Sequence, residues 1–148
     1  MTTTPATSSL QDSFGFLLAD ISRLARRAFV QHLQGSALTP AQAKVLIHVE
    51  RSAGIRQVDL ADLLDIQPIT LARLIDQLSQ ARMVERRTDP QDRRAYQIYL
   101  LPDAKPALEA IARVGAEVRT KALQGVSAAQ AAAAATVLHI VRDNLSQR

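Results

Sequence analysis

Apolar positions along the 148-residue chain recur at helical spacing, then alternate at strand spacing over one short stretch, then return to helical spacing. Leu10, Phe14, Leu17, Leu18, Ile21, Leu24, Ala25 and Ala28 share one side of a 3.6-residue period. They predict an amphipathic first helix, ended by Gln34-Gly35-Ser36, with Arg23, Arg26 and Arg27 on its solvated side. Thr39-Pro40-Ala41-Gln42 then places a threonine cap, a proline at the first helical position and a glutamine three residues after the cap. A second helix starts there, turns Ala43, Leu46 and Ile47 inward, and stops before Gly54. Ile55-Arg56-Gln57 has room for one strand-like pairing, and Val58 to Leu64 reads as a short third helix. After a turn at Asp65-Ile66-Gln67, Pro68 opens a fourth helix running to about Ala81. Leu71, Leu74, Ile75 and Leu78 form its buried stripe, while Thr70, Arg73 and Gln77 share a polar face at i, i+3, i+7.

The period then changes to two. Val84, Arg86 and Thr88 alternate with Glu85 and Arg87, and Tyr96, Ile98 and Leu100 alternate with Gln97 and Tyr99, around a turn built on Asp89-Pro90. From Pro102 to about Gln124 a long helix carries Leu108, Ile111, Gly115 and Val118. Ser127-Ala128-Ala129-Gln130 is a second capping box, followed by an alanine run and a stripe of Val137, Leu138, Val141 and Leu145. The fold class expected is mainly α with a small β-wing. Residues 36–101 form a winged helix-turn-helix, 10–35 and 102–148 a helical dimerisation region, and 1–9 a loose polar tail. The first and last helices are too apolar on one side to stand alone in water. They are expected to cover one another across a two-fold axis in a homodimer.

Composition narrows the partners. At 47% hydrophobic the chain can bury a core, and it has no run of roughly 18 apolar residues for a membrane span. Its first nine residues lack the basic and apolar regions of an export signal. There is no cysteine, which excludes disulfides, thiolate zinc sites and thiol redox sensing, so a cytoplasmic, nucleoid-associated location is the default. A net charge of +4 and a pI near 10.1 favour a polyanion. Two tyrosines, three phenylalanines and no tryptophan make a poor stacking platform for single strands, so duplex DNA is the better partner. His32, His48 and His139 lie too far apart for a helical metal site. No nucleophile–base constellation, phosphate loop or carboxylate pair stands out, so neither an enzyme nor a cofactor is expected.

Five arginines, Arg82, Arg86, Arg87, Arg93 and Arg94, lie in or just before the ribbon. A ribbon tipped with guanidinium groups after a helix with a polar face suits a duplex, helix in the major groove and arginine in the minor. Arg73, in the early second turn, has the reach for guanine O6 and N7; its alternative is a surface salt bridge with Asp76. Ile69 and Thr70 sit one turn earlier, toward thymine methyls or phosphates, with Gln67, Pro68 and the free helix N–H groups against the backbone. Neighbours in a ribbon point to opposite faces, so one of Arg93 and Arg94 enters the groove while the other turns back. Arg86 and Arg87 are either phosphate contacts or strand-face solubilisers.

These residues resemble the multiple-antibiotic-resistance regulator (MarR) family, and within it the SlyA-type branch. The resemblance is carried by Leu60-Ala61-Asp62-Leu63-Leu64, by Pro68 to Leu78, by Val84-Glu85-Arg86-Arg87 and by Asp89-Pro90-Gln91-Asp92-Arg93-Arg94-Ala95. It implies a homodimeric transcription factor on a pseudo-palindromic operator, acting as a repressor and modulated by small aromatic or phenolic molecules. It implies Arg93 as the minor-groove residue and Arg94 as a brace to Asp92. It also implies an effector pocket lined by Phe29, His32 and His48. Where the family has glycine after the recognition helix this chain has Arg82, and where it has threonine after the third strand this chain has Leu101, leaving Asp103 as the substitute cap. A left-handed Arg82 would cost on the order of 1 kcal/mol; the alternative is a helix that ends differently. The competing reading is a winged helix used for protein contact, without sequence-specific DNA binding.

Overall fold

The computed structural model describes residues 13–147. The tail at 1–9 and Leu10 lie outside them. Helix α1 (Phe14–Leu33) begins at Ser13, whose side chain accepts the Phe16 N–H, and α2 (Pro40–Arg51) begins at the reciprocal Thr39–Gln42 capping box. Strand β1 (Ile55–Arg56) leads into α3 (Gln57–Leu64), one residue earlier than the pattern predicts, and then into α4 (Pro68–Gln80). Strands β2 (Val84–Asp89) and β3 (Asp92–Leu100) form the wing. A 3-10 turn (Pro102–Ala104) opens α5 (Lys105–Ala122), and the Ser127–Gln130 box opens α6 (Ala128–Ser146). No helix of the described residues is long and apolar enough to cross a membrane.

The predicted strand-like pairing at residue 55 is present: β1 pairs antiparallel with β3 (Ile55 opposite Ile98), giving a sheet of order β1-β3-β2. Gly54 leads into it with φ +80, a conformation L side chains rarely adopt, and a Cβ there would lie 2.7 Å from the Tyr99 hydroxyl, so a side chain would have to displace that ring. The core lies where α2, α3 and α4 meet the sheet, on Leu46, Leu60, Leu71, Ile75, Leu78 and Ile98, all essentially inaccessible. Leu33 of α1 and Ile111 of α5 are the only residues those helices bury, and α6 buries none.

Two helix ends adopt left-handed conformations without glycine. Arg82 has φ 58, its N–H donates to the Ser79 carbonyl at 3.0 Å, and Met83 N–H donates to Leu78 at 2.9 Å. This is the paired 6→1 and 5→2 arrangement that closes a helix with residue C′ in αL. Arg82 therefore takes the strained geometry rather than ending the helix differently. Asp65 does the same between α3 and α4, with φ 52 and Ile66 N–H bonded to Ala61 at 3.1 Å. The cap expected of Asp103 does not form. It sits inside the 3-10 turn and makes only a long, exposed contact of 3.9 Å with Arg82, and no side chain caps that turn.

Candidate nucleic-acid interface

Helix α4 is amphipathic, and its core stripe is consumed by Leu71, Ile75 and Leu78, which fixes the outward direction of everything else on it. Gln67 occupies the N-cap with no side-chain bond and Pro68 follows, so the first-turn N–H groups have no side-chain cap. Ile69 is 67% exposed at that end, an unusual place for an isoleucine with nothing to cover it. Thr70 and Arg73 are exposed on the same rod. Arg73 makes no ion pair or side-chain hydrogen bond among the described residues. The salt bridge to Asp76 that would have occupied it is absent, because Asp76 Oδ1 receives Arg86 Nη1 instead, at 2.6 Å. Gln77, the last member of the polar face, accepts a hydrogen bond from Gln42 Nε2 at 3.1 Å, so it is tied to the start of α2.

The wing departs from simple alternation. Thr88 pairs with Tyr96 but the adjacent Asp89 pairs with Asp92, so Arg93, Arg94 and Ala95 have no partners on β2. Such a bulge re-aims side chains, and here it separates the two arginines. Arg93 is exposed with no side-chain partner among the described residues. Arg94 lines a cleft of about 260 Å³ between the wing and the starts of α3 and α4, together with Gln57, Val58 and Pro68. The predicted side-chain brace from Arg94 to Asp92 is corrected. Asp92 Oδ1 accepts the Arg94 backbone N–H at 3.0 Å, and the guanidinium stays free of it.

Arg86 also differs from expectation. It stands opposite Ile98 on the inner face of the ribbon, and its side chain is only 24% exposed. Its Nε donates to Gln57 Oε1 at 2.9 Å, Nη1 to Asp76, and Nη2 to the Ala72 carbonyl at 3.1 Å. Its guanidinium is thus engaged on three sides by protein acceptors. Arg87, on the outer face, lies 4.1 Å from the centre of the Tyr99 ring and bonds Glu85.

Sequence reasoning missed Asp89. Its carboxylate is 3% exposed as a residue, yet ion-paired with Arg56 Nε at 2.7 Å, and it accepts the Gln91 N–H at 2.9 Å across the turn. That N–H bond, then the Arg56 charge, holds the Asp89 pKa below the usual carboxylate value, against the opposing effect of burial. The result ties the wing turn to β1. The signal available in the sequence was the Asp-Pro turn itself, which gave no hint of a partner 33 positions upstream.

The three residues expected around an effector lie on α1 and α2. Phe29 is half-buried against the core, and His32 is exposed with Nδ1 donating to the Ala28 carbonyl of its own helix at 2.8 Å. His48 is half-buried on α2, where burial and then the Lys44 and Arg51 charges lower its pKa. None of the three lines the wing cleft, the cleft of about 420 Å³ between α2 and α5 around Glu50, Leu100 and Leu108, or the one of about 200 Å³ beside Gly35.

Residues 38–96, the helix-turn-helix and most of the wing, match the model of the MarR family. Among solved structures the chain is similar to the transcriptional regulator PA3341, at 34% identity and TM-score 0.79, covering 92% of this chain and all of that one. It is similar to the transcriptional regulator SlyA at 26% identity and TM-score 0.71, covering 88% and 92%. It is also similar to MarR from E. coli, at 25% identity and TM-score 0.75, covering 87% and 96%. A mutant of that E. coli protein, crystallised with operator DNA, superposes with TM-score 0.71 at 24% identity over 93% and 99% of the two chains. Helix order, the antiparallel wing and end-to-end coverage agree, and the chain belongs to the MarR family of winged-helix transcription regulators.

Proposed function

We propose that the protein is a homodimer that reads a pseudo-palindromic operator in duplex DNA and represses transcription by occupying it. The observation that carries this reading is Arg73: an exposed guanidinium with no side-chain partner among the described residues, on a helix whose opposite side is committed to the core. In a major groove it would bond guanine O6 and N7 in bidentate fashion. Ile69 and Thr70 would meet thymine methyls or phosphates, and Gln67, Pro68 and the uncapped N–H groups would face the backbone. Gln77 would follow at the far end of the rod. Arg93 would enter the minor groove, with Arg94 on the cleft side of the same loop.

Dimerisation is the second half of the reading. Phe14, Leu17, Ile21, Val137 and Leu138 are each at least 44% exposed on the terminal helices, more apolar surface than an isolated protomer keeps comfortably in water. A two-fold partner covering them would set two α4 helices about 34 Å apart, one turn of B-DNA. Control by a small aromatic ligand would act only through differential affinity for dimers with that spacing right or wrong.

Selection of bound sites from random duplexes, followed by affinity measured against salt, tests the proposal. The selected sites should show two half-sites one helical turn apart. R93A should weaken operator binding and make the log–log salt slope shallower by about two for the dimer, one contact per protomer. Absence of salt-sensitive duplex binding, or unchanged R93A affinity at matched salt, would overturn the reading of helix and wing respectively.

A further inference from the structure

Arg86 is the most thoroughly committed charged side chain of the DNA-binding lobe, and the protein atoms it grips surround the turn that presents Arg73. Its Nη2 bonds the carbonyl of Ala72, the residue immediately before Arg73, and its Nη1 bonds Asp76, one turn further along α4. Its Nε bonds Gln57 at the start of α3, so one guanidinium on the wing links both helices of the helix-turn-helix. From the other side, Gln42 of the α2 capping box bonds Gln77, next to Asp76. We propose that Arg86 is a positioning residue: it sets the angle and depth of α4 relative to the wing, and so the sequence discrimination of Arg73, without itself touching DNA.

Charge and geometry both support this over a phosphate role. Arg86 and Asp76 neutralise each other, which leaves no net cation to displace counterions from a phosphate. The planar fork of an arginine can serve three acceptors in fixed directions, whereas a lysine ammonium is a point charge on a flexible stem. Lysine at this position therefore keeps the charge and loses the brace. The inference rests on the operator-reading function proposed above and adds the residue that tunes it.

The test is equilibrium binding of the full chain to its selected operator and to a scrambled duplex, across a salt series, for wild type, R86K, D76N and R93A. If Arg86 positions α4, R86K lowers the operator-to-scrambled affinity ratio about tenfold, the scale of one misplaced bidentate base contact. Its salt slope stays that of wild type, in contrast to the shallower slope of R93A. D76N approaches the same brace from the helix and should lower the ratio without making the slope shallower, which keeps the question open to test if R86K folds poorly. A uniform loss on both duplexes in R86K, with the ratio unchanged, would make Arg86 a phosphate contact, because lysine keeps the charge but loses the bidentate fork, and would overturn the proposal. Unchanged affinity for both duplexes in both variants would reduce it to strand packing. A wild-type protein that fails to discriminate the two duplexes would sink the operator reading itself, and this inference with it.

Discussion

The lobe from α2 to β3 and the helices at the chain's two ends carry similar apolar periodicity, but they dispose of it differently. In the lobe, each apolar stripe meets another within the same chain: Leu46, Leu60, Leu71, Ile75 and Ile98 converge and none is accessible. In α1, Phe14, Leu17, Ile21 and Leu24 repeat as regularly and remain about half exposed, and α6 leaves Val137, Leu138 and Ile140 outside as well. The same pattern thus has two meanings. One is a core closed within the chain, and the other is an apolar surface that the described residues leave exposed, the one a second copy would cover in the proposed dimer.

Truncation on the two sides should separate these meanings most sharply. Leu46→Ala is expected to destabilise the lobe by about 2–5 kcal/mol, the range for a large-to-small change in a closed core. Its effect on thermal melting should be the same at every protein concentration. Ile21→Ala should cost less, about 1 kcal/mol, and the loss should grow as the protein is diluted, because mass action governs a shared surface. A concentration-independent Ile21→Ala effect in parallel melting and sedimentation series would mean that α1 belongs to the protomer core after all.

Smaller effects probe the junctions between the two regions. Arg82 holds a left-handed conformation at the end of α4, so Arg82→Gly should stabilise by up to about 1 kcal/mol in denaturant titration. A loss of stability there would point to the long contact with Asp103 as the more important term. The last effect is local. Because the folded-state pKa of Asp89 lies below its ordinary value of 3.8, its contribution is complete above that value and is lost as pH falls through the folded pKa. The Gln91 amide resonance should report loosening of the wing turn in that acid window, and D89N should abolish the pH dependence while leaving the terminal helices unaffected.

What was legible beforehand follows from how far each interaction reaches along the chain. The capping boxes at Thr39–Gln42 and Ser127–Gln130 close within three residues, so the letters alone locate both helix starts. The stripes of α4 and the alternation of β2 are equally local. By contrast, Arg86 meets partners 10, 14 and 29 positions away, and a cationic residue on a strand gives no sign of which of its faces will turn inward. The bulge that parts Arg93 from Arg94 was hidden for a related reason. Alternation predicts their separation, but the separation arises from unpaired residues on β3, a matter of register between two strands.

The amino-acid order by itself determined the elements and their sequence: helix, helix, short helix, helix, ribbon, helix, helix, with a basic wing after a polar-faced rod. Those features depend on neighbours one to four positions apart, where capping, propensity and amphipathic period act. Tertiary structure alone decided which arginines are free and which are braces, which carboxylate anchors the turn, and which apolar stripes close within the protomer. Those outcomes depend on charges and surfaces brought together from distant positions, where each pairing removes a group from the set still available to a partner.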